Sequence, residues 1–92
     1  MEVELRLFAT VRAAVGQRTL TRECDPDTTV AELLAALEED YPPLDGRLLD
    51  GSAVAGGVTV LRNGTHVTHF EGPETALADG DAVSITPPVT GG

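Results

Sequence analysis

The stretch "TTVAELLAALEEDYPP" (residues 28–43) decides the fold. Thr29 stands three residues ahead of Glu32, the capping-box spacing in which each side chain satisfies a backbone donor that a helix start leaves orphaned. Behind it Val30, Leu33, Leu34, Leu37 and Tyr41 recur at i, i+3, i+4, i+7 and i+11. They form one apolar stripe, and Pro42-Pro43 stops the helix. A helix with one apolar stripe must bury it, and in a chain of 92 residues the partner layer is a sheet.

Both flanks supply strands. Upstream, "EVELRLFA" (2–9) alternates with period two, placing Val3, Leu5 and Leu7 on one face and Glu2, Glu4, Arg6 and Phe8 on the other. "AAVG" (13–16) turns the chain at Gly16, and the Thr-rich "QRTLTREC" (17–24) reads as the second arm of a hairpin. Downstream, residues 44–57 are broken by Gly46, Gly51, Gly56 and Gly57 and read as a variable loop, in which "RLLD" (47–50) has the length of one helical turn. Gly56-Gly57 lies inside the chain just ahead of a strand, so it reads as part of that loop. "VTVLRNGTHVTHF" (58–70) is a hairpin signal, because Asn63-Gly64 accepts the positive φ of a type I′ turn. "LADGDAVSITP" (77–87) adds a turn at Asp79-Gly80-Asp81 and a last strand with Val83 and Ile85 on one face.

The order is β-β-α-β-β-β. One main helix on one face of a mixed sheet of four to five strands, entered through an N-terminal hairpin, is the α+β arrangement called the β-grasp. Residues 1–87 form the expected domain, and 88–92 a flexible C-terminal di-glycine tail.

Composition narrows the function. Fifteen acids against six bases give a formal net charge of −9; all the bases are arginine, and there is no lysine. Such a surface repels polyanions, so nucleic acid is not an expected partner, and it fits a protein adapted to high salt. The longest apolar runs are a few residues and the start is not basic, so neither a membrane span nor a signal peptide is expected; the reading is cytoplasmic. The lone Cys24 cannot make an internal disulfide or hold an iron–sulfur cluster, and its setting suits a small buried hydrophobe. His66 and His69, three apart on an expected strand, point to opposite faces and do not share a metal. No phosphate-binding glycine loop or nucleophile pair marks an enzyme, so no catalytic residue, metal or bound cofactor is expected.

"LFATVRAAVG" (7–16), "TVAELLAALEEDYP" (29–42), "VTVLRNG" (58–64) and above all "LADGDAVSITPPVTGG" (77–92) resemble the ubiquitin-like sulfur carriers related to the small subunit of molybdopterin synthase. The acidic, lysine-free composition further resembles the small archaeal modifier proteins of haloarchaea, which belong to that group. The resemblance covers nearly the whole chain. It implies that the carboxylate of Gly92 is adenylated with ATP by a ubiquitin-activating-like enzyme. The mixed anhydride then yields either a thiocarboxylate for sulfur donation or an isopeptide bond to target lysines. The expected partners are that adenylating enzyme and target-protein lysines, the molybdopterin synthase large subunit, or both.

The tail chemistry agrees independently. Gly91 and Gly92 lack Cβ and can enter a narrow channel, with Pro88, Val89 and Thr90 following. Pro87-Pro88 ends the strand and favours an extended exit, and five residues beyond Pro87 reach on the order of 17 Å. Strand parity places Phe8 and Leu61 on the face away from the helix, and with Val67 and Phe70 they form the expected docking patch for a partner enzyme. Three readings stay open: a protein modifier, a dedicated sulfur carrier, and a plain binding module with an inert tail.

Overall fold

The computed structural model describes residues 1–88, and among them the chain runs β1 (Glu2–Leu7), α1 (Ala9–Val15), β2 (Thr19–Glu23), α2 (Val30–Asp40), β3 (Leu49–Asp50), β4 (Ala53–Val54), β5 (Thr59–Arg62), β6 (Thr65–His66) and β7 (Ala82–Thr86). Five strands form one mixed sheet in the order β2-β1-β7-β5-β6, and β3-β4 is a separate small hairpin. β1 pairs antiparallel with β2 and parallel with β7, while β5 pairs antiparallel with both β7 and β6. The β-grasp expectation holds. No described helix is long and apolar enough to cross a membrane.

α2 begins where the capping box places it. Thr29 N donates to Glu32 Oε1 at 2.9 Å and Glu32 N donates to Thr29 Oγ1 at 3.2 Å, so two orphan donors are satisfied reciprocally. Val30, Leu33, Leu34 and Leu37 are buried, and Tyr41 is half-buried at the end of the stripe. They meet Val3, Leu5 and Leu7 of β1, Val60 of β5, and Val83 and Ile85 of β7 in one continuous core. The register puts Leu5 beside Val83 and Leu20, and Ile85 beside Leu7 and Val60, so alternate residues of adjacent strands stack on the helix side. Truncating any one of the leucines leaves a cavity costing about 2–5 kcal/mol. Arg22, opposite Val3, runs along this face and pairs with Asp40 at the end of α2.

Three local expectations are corrected. The β1–β2 connection is not a simple turn at Gly16: residues 9–15 form a helix that Gly16 closes in the left-handed conformation, φ 86°. That helix buries only Val11, too little to print a periodic pattern on seven residues. Residues 44–57, expected as a variable loop, hold a short hairpin, and "RLLD" is not a helical turn. Leu44 and Leu48 are fully buried, β3 and β4 pair as a hairpin, and Glu38 Oε2 accepts from Leu48 N (2.9 Å) and Leu49 N (3.0 Å), tying the segment to α2. Finally, β6 ends at His66, and His69 lies in a 3₁₀ turn, Val67–His69, so the two histidines do not alternate along one strand. The Asn63-Gly64 turn has positive φ at both residues, 50° and 83°, as a type I′ hairpin requires.

Candidate functional site

β7 carries the C-terminal arm. It lies in the middle of the sheet, held by the parallel ladder to β1 and the antiparallel ladder to β5, and its inward residues Val83 and Ile85 are fully buried. Its far end is thus a fixed point from which Pro87 and Pro88 leave the sheet. Proline offers no amide to extend a ladder, so pairing stops there for a covalent reason. Val89, Thr90, Gly91 and Gly92, named above for threading and reaction, lie outside the described residues.

The root of the arm borders an open cleft of about 400 Å³, with Val11, Leu44 and Val58 as apolar lining, Arg47 and Thr10 as polar lining, and Pro87 and Pro88 along its side. α1 and the 44–57 segment build this cleft, and both were misread from sequence because neither carries a helix- or strand-length apolar period.

At the other end of β7, Asp81 organises the turn that feeds the strand. Its carboxylate accepts from Arg62 Nε at 2.7 Å, Asn63 Nδ2 at 2.9 Å and the Ala78 amide at 2.8 Å. Asn63 Oδ1 in turn accepts from the Ala82 amide at 2.9 Å. Burial pushes the Asp81 carboxyl up, but the hydrogen bonds from Arg62, the Ala78 amide and Asn63 outweigh it and hold it below the usual carboxylate range. The sequence marked Asp79-Gly80-Asp81 only as a turn. The distinct role of the second aspartate depends on partners eighteen and nineteen residues away.

The expected docking patch divides. Phe8 is 44% exposed, and Leu61 is half-buried. The pairs Arg6–Ser84 and Leu61–Ser84 put Leu61 on the open face in line with Arg6, and Phe8 follows two residues on from Arg6 in extended backbone. Val67 does not join them: it is 2% exposed and belongs to the core, because the chain turns into a 3₁₀ helix where a strand was expected. Phe70 is exposed, but its ring lies 5.2 Å from the guanidinium carbon of Arg62, whose parity on β5 is opposite to that of Leu61. The open face therefore retains Phe8 and Leu61.

Cys24 is half-buried against the core, and burial is the main reason its thiol is pushed up, the reverse of an activated nucleophile. His66 Nδ1 faces the Thr68 amide at 3.2 Å.

Comparison with known proteins places this arrangement. A model described as the ThiS family matches residues 5–92. Small archaeal modifier protein 3 of Haloferax volcanii is 51% identical over 92 residues, covering 100% of both chains. The sulfur carrier protein CysO of Mycobacterium tuberculosis is 34% identical over 80 residues, 84% of this chain and 83% of that protein. The crystal structure of small archaeal modifier protein 1 from Haloferax volcanii superposes with a TM-score of 0.84 at 33% identity, covering 100% of both chains.

Proposed function

The chain belongs to the ThiS family, and from that premise we propose that its Gly92 carboxylate is the reacting group of a ubiquitin-like modifier and sulfur carrier. The observation that carries the reading is the full-length likeness to a small archaeal modifier protein, joined to an arm that leaves the central strand past two prolines and ends in Gly91-Gly92.

The chemistry follows from the weakness of a carboxylate as an electrophile. In a ubiquitin-activating-like enzyme, a Gly92 carboxylate oxygen attacks the α-phosphorus of ATP, an acyl-adenylate forms, and pyrophosphate leaves. A target lysine amine then attacks the acyl carbon, loses a proton and releases AMP, leaving an isopeptide bond. Where a sulfide equivalent attacks instead, AMP again departs and Gly92 carries a thiocarboxylate. The likeness to a sulfur carrier favours this second branch alongside the first, and a large subunit of the molybdopterin synthase kind is one catalytic partner that would use the thiocarboxylate. The domain supplies a rigid base, and its partner supplies the ATP site. In this reading the chain is the carried group and not the catalyst.

Affinity capture of tagged protein from its own cells, with mass spectrometry of everything covalently attached, tests the proposal. The wild type is expected to carry adducts at lysines of other proteins, a sulfur-for-oxygen mass shift on Gly92, or both, and a form lacking Gly91-Gly92 to carry neither. Wild-type protein with an unmodified carboxyl and no adducts, or adducts that survive the truncation, overturns it.

A further inference from the structure

We infer that Gly57 is a positioning residue for the arm: it leaves open a seat for the Pro88 ring at the end of the sheet and so sets the line along which the reactive terminus departs. This rests on the reading of Gly92 as the reacting group.

The β5–β7 ladder pairs Thr59 with Thr86 and Val60 with Ile85. Carried two residues further along each strand, the same antiparallel register sets Gly57 opposite Pro88. Pairing cannot continue there, because Pro88 has no amide to donate and Gly57 turns away with φ +82°. What remains is a close approach of two backbones. A Cβ placed on Gly57 would lie 2.8 Å from Pro88 Cβ, 3.0 Å from its Cγ and 3.5 Å from its Cα. Carbon pairs are at their optimum at about 3.5–4.0 Å, so the first two distances are strong overlaps. The pyrrolidine ring cannot swing aside, since it is closed onto its own backbone. A side chain at 57 therefore cannot be seated without shifting Pro88 or the backbone at 57 against it.

Among the described glycines Gly57 is singular in this respect. Gly16, Gly46, Gly51, Gly64, Gly72 and Gly80 also have positive φ, yet beyond their chain neighbours no described atom lies within 4 Å of where their Cβ would stand. Those glycines serve turns. Gly57 serves a turn and a neighbour, and the neighbour is the described residue nearest the reactive end. Gly92 lies four residues beyond Pro88, within an extended reach of roughly 13 Å, so the direction set at Pro88 decides which positions the carboxylate can reach. Misplacement by about 1 Å can cost a reaction roughly a hundredfold.

The test compares Gly57→Ala with Gly64→Ala, whose φ of +83° imposes the same backbone strain without an overlap. Pyrophosphate exchange into ATP is measured with the ubiquitin-activating-type enzyme purified from the same cells, and thermal denaturation monitors folding. Gly57→Ala is expected to lower kcat about tenfold, within the range that small misplacements cost, with KM unchanged because the docking face is intact. Gly64→Ala should leave both constants unchanged. Pro88→Gly empties the seat from the other side without touching either turn; it should also lower kcat, and it decides the matter if Gly57→Ala does not fold. Equal kcat for Gly57→Ala and Gly64→Ala, a change confined to KM, or full activity of Pro88→Gly would overturn the positioning role alone. Absence of exchange with the wild type, or exchange that persists without Gly91-Gly92, would sink the Gly92 reading and the inference together.

Discussion

Asp81 concentrates more bonding than any single residue of the arm's support. Its carboxylate collects Arg62, Asn63 and the Ala78 amide at the entry to β7. Replacing it with alanine leaves those donors without an acceptor, and a loss of about 2–3 kcal/mol is expected in urea unfolding. The pH dependence has a definite sign. Because the folded state holds this carboxyl below its ordinary value, its contribution is complete above the unfolded value and drains away as pH falls through the folded one. Urea midpoints should be flat near neutrality and fall on acidification below about pH 4, and the fall should be shallower in Asp81→Asn. An equal fall in both would remove Asp81 as a source of acid sensitivity. None of this was legible in "DGD", since a turn signal is local and the partners of Asp81 arrive by sheet register. The same holds for Gly57, which reads as an ordinary loop glycine until the ladder brings Pro88 opposite it.

At the scale of elements, what could be read was what repeats. α2 was legible because its cap spans four residues and its stripe spans three turns, and β1, β5 and β7 because alternation marks the buried face. α1 and the β3–β4 hairpin were not, since a helix with one buried residue and strands of two residues have no period to detect. Glu38 shows the cost of that blindness: its carboxylate fastens the 44–57 segment by two backbone amides, contacts that no pattern announces. The open sheet face is also a property of elements. If Phe8 and Leu61 dock the adenylating partner, Phe8→Ala should raise KM for adenylation about tenfold while leaving kcat in place, the magnitude of a modest interface anchor. Unchanged KM would assign both side chains to ordinary surface.

For the whole molecule, the absence of lysine in 92 residues makes conjugation one-directional. On the proposed reading the chain is donated through Gly92 but offers no lysine to receive another copy, and the Met1 ammonium is engaged with the Cys24 carbonyl at 2.8 Å. Peptide mapping of captured conjugates should therefore show single attachments and no branch on an internal residue of this chain; one such branch would refute the prediction. The placement of β7 has a mechanical corollary. A linked target that is being dragged away pulls on the end of the strand flanked on both sides, and β1 runs parallel beside it. Tension between the two chain ends then slides these strands past each other, loading the hydrogen bonds of the ladder together instead of peeling them one at a time. Whatever is joined beyond Pro88 is thus anchored where the sheet resists shear.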